Sequence, residues 1–245
     1  MNRKCVSIRQ FFIRIAMLIT LLILLLALMQ VAWCLLEKKE SNTVNEHLTE
    51  YVLEGEFSEM PIKVDLGSLK AQNEDVVAWI YCPDTPISYP VVHGKDNSYY
   101  IDHLIGGQQN AAGTIFLDHR NGSDLQDAVS VIHGHNLRDR SMFSTLVNYA
   151  EQAYYDAHPV LFLQTLEGDH VIELFAGFTT DREDAIYDLV YAEEVGSELI
   201  EACVLRSDFT AQLHPTPDER LIVLSTCSYA FEDARYVLVG VLRRI

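Results

Sequence analysis

Two residues near the end of the sequence, Cys227 and Arg235, have the chemistry and the spacing of a nucleophilic site. Cys227 ends the apolar run LIVLSTC, and Arg235 lies eight positions later, directly before the run YVLVGVL. If the two runs pair as antiparallel neighbours, both residues lie at the mouth of one hairpin and their side chains can converge. The pattern therefore predicts an unpaired thiol beside a fixed positive charge, with an incidental surface arginine as the simpler alternative.

A thiol at this position needs a base, because its ordinary pKa of about 8.5 leaves only a few per cent as thiolate at neutral pH. Most of the nine histidines stand singly in predicted loops or strand edges, where a solvated histidine is the expected interpretation. His133 and His135 differ, because the apolar strand AVSVI runs directly into the sequence HGHN. Residues two positions apart share one face of a strand, so alternation does not choose between them.

The first element predicted along the chain is a membrane span at residues 15–36, which precedes the domain that carries these residues. These 22 residues contain no charged side chain. At about 1.5 Å per residue, a helix of that length crosses the roughly 30 Å hydrocarbon layer. Arg3, Lys4, Arg9 and Arg14 precede the span, so the positive-inside bias places the N-terminus in the cytoplasm and the rest of the chain outside. A cleaved signal peptide is the alternative, but it has a shorter apolar region and a small-x-small cleavage site that this sequence lacks.

Three of the five cysteines, Cys82, Cys203 and Cys227, lie beyond the span, and an odd number leaves at least one free thiol. Cys82 follows the apolar run VVAWIY, and Cys203 lies at helical spacing among apolar residues, so both are predicted to be buried. A disulfide between these two stays open at this point. Cys227 is different, because polar residues at the end of a strand are where functional groups collect.

The charge of the chain beyond the span excludes several kinds of partner. Four of the 18 basic residues precede the span and all 35 acidic residues follow it, which gives the outer part a formal charge of −21. Nucleic acid needs clustered lysines and arginines, so it is not an expected partner. Neither a D-x-D-x-D-G calcium loop nor the motifs G-x-x-x-x-G-K-[ST] and G-x-G-x-x-G occur. We therefore predict a solvated acidic surface, with no motif for binding calcium, a nucleotide or a dinucleotide.

Short runs rich in valine, isoleucine, tyrosine and phenylalanine recur from Val76 onward, separated by turn signals. Eight of them are strand candidates: VVAWIY, ISYPVV, GTIFLD, AVSVIHGH, VLFLQT, HVIELFAGF, LIVLSTC and YVLVGVL. Eight strands with few long helices predict a mostly β fold, a closed or nearly closed β-barrel. Helical insertions are predicted at residues 142–155 and 193–206, the second of them before the strand that ends at Cys227.

This organisation divides the chain into four parts. Residues 1–14 form a cytoplasmic N-terminus, 15–36 the transmembrane anchor, 37–70 a stalk with N-terminal helices, and 71–245 the catalytic barrel. The helical patterns of the third part are TVNEHLTEYVLE and VDLGSLKAQN. We expect the segment 181–215 to line the pocket, because it precedes the strand of Cys227.

Together these motifs resemble the class B sortases. The sequence LSTC with Arg235 eight positions on, HGHN about ninety residues upstream, and the stretch WIYCPDTPISYPVVHGKDNSYYIDH followed by GTIFLDHR stand in the order of this family. The resemblance covers residues 70–245, and the anchor fits it too. It implies a closed eight-stranded sortase-type β-barrel with N-terminal helices, a helical insertion before the nucleophile strand and one transmembrane helix.

The resemblance also implies roles for three side chains. The histidine of the family's G-H-N pattern falls on His135, the nucleophile on Cys227 and the arginine on Arg235. His133 lies where relatives commonly carry tyrosine, and Cys82 where an aliphatic residue is usual.

The chemistry that this implies is transpeptidation. Cys227 attacks a C-terminal sorting signal of a secreted protein and forms a thioester, while His135 protonates the leaving amine. Arg235 donates to the oxyanion or to the substrate backbone. The acceptor is an amine of a cell-wall precursor or a pilin lysine, held with the substrate at the same membrane face. No cofactor or metal takes part.

Three other functions remain open. Water in place of the amine would make the same site a cysteine protease. His133, His135 and a cysteine could supply three zinc ligands. The third is a catalytically silent surface module on the same barrel, in which Cys227 would be no more reactive than Cys82 or Cys203.

Overall fold

The structure is a computed structural model and describes residues 8–53, 60–191 and 196–245. Contacts divide the chain into two units, Met1–Thr43 and Val44–Ile245. Helix α1 (Ile8–Leu48) is long and apolar enough to cross a membrane, by length and composition. The large apolar side chains of the predicted span 15–36 are exposed. Because a helix that is apolar on all sides needs an apolar environment, this exposure favours the predicted membrane span.

Short elements follow α1 and precede the barrel. They are a 3₁₀ helix (Thr49–Tyr51), a two-stranded antiparallel sheet of β1 (Val52–Leu53) and β2 (Lys63–Val64), and α2 (Leu66–Gln72). α2 begins after Asp65, whose side chain accepts a hydrogen bond from the Ser68 backbone N–H at 3.0 Å. Helical structure thus occurs in both patterns predicted for this part, although residue 54 lies outside the described residues. The two-stranded sheet is not apparent in the sequence.

Eight strands form a closed barrel, and each of the eight predicted runs supplies one of them. They are β3 (Val76–Tyr81), β4 (Ser88–Val92), β5 (Phe116–Leu117), β6 (Val129–His133), β7 (Val160–Thr165), β8 (Asp169–Asp181), β9 (Leu221–Cys227) and β10 (Ala234–Arg244). Around the barrel the order is β10, β8, β7, β3, β4, β5, β6, β9. The prediction of a closed, mostly β barrel is therefore confirmed, and closure leaves no unpaired sheet edge in it.

Two of the strand pairings in the barrel are parallel, and each joins strands that are not connected by a tight turn. β6 runs parallel to β9, with His133 opposite Ser225, and β4 runs parallel to β5. The other neighbouring strands are antiparallel. Because β6 and β9 are parallel neighbours, their C-terminal ends reach the same rim of the barrel. This arrangement brings the HGHN loop next to Cys227.

Side chains on these strands alternate between two apolar layers. Ile132, Leu224 and Leu238 belong to the interior cluster, whereas Val131, Val223 and Val237 belong to an outer cluster that includes residues of α4 (Ile186–Val190) and α5 (Ser197–Arg206). By the same alternation, His133, Cys227 and Arg235 project on the outer face. The outer face of β6, β9 and β10 therefore forms the floor on which a site can be built.

Both predicted helical insertions are present. The segment 142–155 contains a 3₁₀ helix (Ser144–Ala150) and most of α3 (Gln152–Ala157), and α5 falls within 193–206, of which residues 193–195 lie outside the described part. α4 is an additional helix that is not among the predicted elements. Cys82 and Cys203 are buried, as predicted, and each is a free thiol.

Candidate active site

Cys227 and Arg235 lie directly opposite one another in the antiparallel pair of β9 and β10. Side chains of directly opposed residues lie on the same face of a sheet, with Cβ atoms about 4.5–5.5 Å apart. The loop between the strands is closed by a hydrogen bond from the Ser228 N–H to the Ala234 carbonyl oxygen at 2.8 Å. The predicted hairpin is confirmed, and it places the thiol and the guanidinium at the same end, next to the connecting loop.

The Arg235 guanidinium is held by backbone and not by a carboxylate. Its Nη1 donates to the Ala234 carbonyl oxygen at 3.2 Å. None of the ion pairs among the described residues involves Arg235. Since a guanidinium carries five N–H donors, most of them remain available to an anionic oxygen in the groove.

Tyr187 of α4 lines the same cavity as this arginine. Burial raises the pKa of the Tyr187 phenol, and the hydrogen bond with Ser225 and the positive charge of Arg235 offset part of that rise. The phenol therefore stays neutral at physiological pH. Tyr187 contributes a neutral phenol to the wall of the cavity.

His135 lies on the loop that continues β6. The Gly134 N–H donates to the Ser225 carbonyl oxygen at 3.1 Å, which keeps this loop against β9. A Cβ on Gly134 would lie 2.6 Å from the Phe143 ring, so only glycine allows the loop to pack this closely. The His135 carbonyl oxygen accepts a hydrogen bond from the Phe143 N–H at 2.9 Å. These contacts fix the backbone on both sides of the imidazole.

The imidazole of His135 is oriented by a backbone carbonyl. Its Nε2 lies 2.7 Å from the carbonyl oxygen of Ile101, on the 3₁₀ helix Tyr99–Ile101. A carbonyl only accepts, so we assign the proton to Nε2, which leaves Nδ1 to exchange protons. A Cβ on Gly113 would lie 2.5 Å from that same Ile101 oxygen, at a φ of +60°. The close backbone approach at Gly113 thus helps to fix the carbonyl that orients His135.

Asn136, the next residue, connects the two loops. Its Nδ2 donates to the Cys227 carbonyl oxygen at 2.8 Å. Its own carbonyl oxygen accepts a hydrogen bond from the Tyr229 hydroxyl at 3.0 Å. The loop that carries the histidine is therefore bonded to the strand end that carries the thiol.

A cavity of about 730 Å³ opens over these residues, and Cys227, His135 and Arg235 all line it. Asn97 and Ile101 form one wall, and residues between Arg182 and Tyr191 form the other. The expectation that the segment 181–215 lines the pocket therefore holds for its first part. The structure brings together all three side chains that the sequence singles out.

Asp118, directly after β5, also lines this cavity and is not among the predicted site residues. It is fully buried, with an exposed fraction of 0%. Three side chains donate hydrogen bonds to its Oδ2: Asn97 Nδ2 at 2.8 Å, the Tyr191 hydroxyl at 3.0 Å and His133 Nε2 at 3.1 Å. The Arg120 guanidinium donates to both carboxylate oxygens, at 2.8 Å each. Burial acts to raise the pKa of Asp118, but the hydrogen bonds from Arg120 and His133 outweigh it and hold this pKa far below its usual range. The carboxylate is therefore ionised.

The two histidines of the HGH sequence have different partners. His133 is bound to the buried carboxylate of Asp118, and His135 to a backbone carbonyl. In the described part of the chain, no group of three or more His, Cys, Asp and Glu side chains is arranged to hold a metal ion.

Comparison with known proteins agrees with this architecture. No family model matches the chain. Sortase B of Listeria monocytogenes is 31% identical over 184 residues, which cover 74% of this chain and 75% of that protein. The structure of sortase B from B. anthracis in complex with AAEK1 gives a TM-score of 0.70 at 28% identity and covers 86% of this chain and 100% of that one. The Staphylococcus aureus sortase B-substrate complex gives 0.69 at 25% identity and covers 74% and 85%.

The barrel and these similarities define a sortase, a member of the transpeptidase enzymes. The chain belongs to the class B sortase family.

Proposed function

We propose that this chain is a membrane-anchored transpeptidase that cleaves a C-terminal sorting signal of a secreted protein and joins the new acyl end to an amine. The observation that carries the proposal is the direct pairing of Cys227 with Arg235 in the lining of a cavity that also contains His135. A thiol, an imidazole and an available guanidinium in one groove supply a nucleophile, a proton carrier and an oxyanion donor.

The first step is attack on the scissile peptide bond. The Cys227 thiolate adds to the carbonyl carbon, and the carbonyl oxygen takes up the negative charge. The Ser228 N–H is already bound to the Ala234 carbonyl. It is therefore not free to stabilise that oxygen, and Arg235 has this role instead.

The second step breaks the carbon–nitrogen bond and leaves an acyl thioester on Cys227. Protonated His135 gives a proton from Nδ1 to the leaving amine. Its Nε2 carries a hydrogen in both protonation states, so the bond to the Ile101 carbonyl holds the ring throughout. His133 has its Nε2 directed to Asp118, which is why we assign proton transfer to His135.

The third step transfers the acyl group. An acceptor amine attacks the thioester carbonyl, Nδ1 of neutral His135 takes the proton, and the Cys227 thiolate leaves. The acceptor that we propose is an amine of a peptidoglycan precursor. Anchoring the enzyme, the substrate and a lipid-linked acceptor at one membrane face raises their effective concentration.

The charge pattern of the sequence and the length of α1 support the membrane arrangement that we propose. Residues 1–14 would lie in the cytoplasm, residues 15–36 would span the membrane, and the catalytic barrel, residues 71–245, would lie outside. α1 continues to Leu48, so the stalk of residues 37–70 begins as a helix.

The experiment uses the full-length protein in detergent micelles, a library of sorting-signal peptides and either triglycine or a lysine-containing peptide as the amine. Mass spectrometry should show a peptide fragment joined to the amine with the wild type and none with Cys227→Ala. Cys34→Ala, which removes an exposed thiol on α1, is the matched control and should behave as the wild type. Hydrolysed fragment alone, even with amine in excess, would make the chain a protease. Undiminished turnover by Cys227→Ala would overturn the proposal.

A further inference from the structure

The buried carboxylate of Asp118 joins the parts of the groove. Asn97 comes from the wall that precedes the 3₁₀ helix Tyr99–Ile101, His133 from the end of β6, and Tyr191 from the turn that follows α4. Tyr191 is 73 positions from Asp118 in the sequence. One side chain thus connects the floor of the groove with both of its walls.

More groups donate hydrogen bonds to the Asp118 carboxylate than it has lone pairs to accept them. Its Oδ1 accepts from the Arg120 backbone N–H and Nε, and its Oδ2 from four side chains. An ionised carboxylate offers about four lone-pair sites, so the donors share them. The bonds from Tyr191 and His133, at 3.0 and 3.1 Å, are the longest of the side-chain bonds. Tyr191, directly after α4, is therefore joined to Asp118 by a hydrogen bond that one substitution can remove, in addition to the apolar packing of Ile186 and Val190.

Tyr191 also contacts two other residues that line the cavity, Arg120 and Tyr187. The Arg120 guanidinium lies 3.3 Å from the centroid of the Tyr191 ring. The Tyr187 and Tyr191 rings stack, with centroids 6.3 Å apart and planes 18° apart. Tyr187 lines the same cavity as Arg235, whose positive charge acts to lower the pKa of the Tyr187 phenol. Asp118, Tyr191 and Tyr187 thus form a line of contacts along the cavity that Arg235 also lines.

We propose that Asp118 is a positioning residue of the peptide groove, and that its hydrogen bond with Tyr191 sets how tightly the groove holds the acyl-donor peptide. His133 supports the same anchor as a donor and does not transfer protons to substrate. The relation to peptide binding rests on the proposed function, whereas the anchoring of α4 does not.

Tyr191→Phe is the sharpest variant, because it removes one hydroxyl and keeps the ring under Arg120. For the peptide that the wild type consumes fastest, we expect KM to rise about five- to tenfold with kcat within about twofold of wild type. Tyr155→Phe is the matched control. Its hydroxyl donates to the Leu174 carbonyl oxygen at 3.5 Å, away from the cavity lining, and its loss should change neither constant.

His133 offers an independent test with a rescue. His133→Phe removes the donor and should raise KM in the same way as Tyr191→Phe. His133→Tyr places a hydroxyl donor at the same position and should restore KM toward the wild-type value. A His133→Tyr variant as impaired as His133→Phe would show that the donor is not what matters.

Hydrogen exchange separates this inference from the proposed function, because it requires no substrate. The backbone amides of α4 (Ile186–Val190) should exchange faster in Tyr191→Phe than in the wild type, and at the wild-type rate in Tyr155→Phe. Unchanged exchange in Tyr191→Phe would overturn the anchoring role, whether or not the wild type consumes any peptide. Faster exchange with an unchanged KM would overturn the link between the anchor and peptide binding. Absence of turnover in the wild type would instead count against the proposed function.

Discussion

The side-chain amide of Asn136 binds the carbonyl oxygen of Cys227 at 2.8 Å, one residue after His135. The proposed proton carrier and the proposed nucleophile are 92 residues apart in the sequence, and this bond joins the neighbour of the first to the backbone of the second. The Tyr229 hydroxyl on the Asn136 carbonyl adds the β9–β10 loop to the same assembly. The geometry of the thiol and the imidazole therefore depends on Asn136 as well as on the strands.

We expect Asn136→Ala to slow thioester formation about three- to tenfold at saturating peptide, the effect of losing one hydrogen bond that aligns two reacting groups. Rapid-quench mass spectrometry measures this rate. Asn42→Ala, at an exposed asparagine of α1, is the control and should have no effect. Acylation of Asn136→Ala at the wild-type rate would show that the bond does not position the site.

Arg235→Ala should lower the rate of thioester formation by about a hundredfold or more, because an oxyanion donor commonly contributes roughly 2.7–4 kcal/mol to lowering the barrier. Arg235→Lys keeps the charge without the planar fork of donors, so its rate should fall between the two. Arg138→Ala removes an exposed arginine outside the cavity lining and should act as the wild type. A loss of less than about fivefold in Arg235→Ala would remove the guanidinium from the mechanism.

His135→Ala should lower the same rate by about a hundredfold to ten-thousandfold, the range typical of a proton-transferring side chain. His133→Tyr should lose less than about tenfold at saturating peptide, because it contacts the Asp118 carboxylate and not the reacting atoms. The two variants are compared over a range of pH. If His133→Tyr abolished the pH dependence and His135→Ala preserved it, the roles of the two histidines would be reversed.

The buried His170 on β8 should make the free energy of unfolding depend on pH. Its side chain is 6% exposed, and its Nδ1 has no hydrogen-bond partner in the described structure. Burial, together with the positive charges of Arg220 and Arg244, lowers its pKa below 6.5. The unfolded chain therefore takes up this proton first as pH falls, so the contribution of His170 is complete above about pH 6.5 and is lost at lower pH.

Urea unfolding of wild type and His170→Gln at several pH values isolates this contribution. The difference in the free energy of unfolding should move in favour of the variant as pH falls from about 7 to about 5. The two proteins share every other ionisable group, so the contributions of those groups cancel in the comparison. Two curves that stay parallel over this range would contradict the prediction.

The strands of the barrel can be predicted from the sequence because their apolar runs are bounded by turn residues. VVAWIY, VLFLQT and LIVLSTC coincide with β3, β7 and β9 residue for residue. β1 and β2 have only two residues each, too few to show any period, and they are not predicted. The neighbours of each strand, such as the parallel pair of β6 and β9, depend on long-range contacts that local patterns do not encode.

In the candidate site, too, some features can be predicted from the sequence and others depend on the fold. Cys227 and Arg235 are close in the sequence and flank a single hairpin, so their convergence can be predicted. Asp118 cannot be assigned from its neighbours, because a lone aspartate after a short strand looks like an ordinary turn residue. Its importance comes from partners as distant as Tyr191, which only the fold brings together. The choice between His133 and His135 likewise needs the identity of the atom that each ring contacts.

The most direct test of the central claim is to locate the acyl group on the enzyme. Wild-type protein is mixed with the peptide that it consumes fastest, quenched before any amine is added, digested and mapped by mass spectrometry. The acyl mass should lie on Cys227 as a thioester that hydroxylamine removes, and it should be strongly reduced at the same time point in His135→Ala and Arg235→Ala. An acyl group on Cys82 or Cys203, or equal thioester levels in all three proteins, would contradict a site built from Cys227, His135 and Arg235.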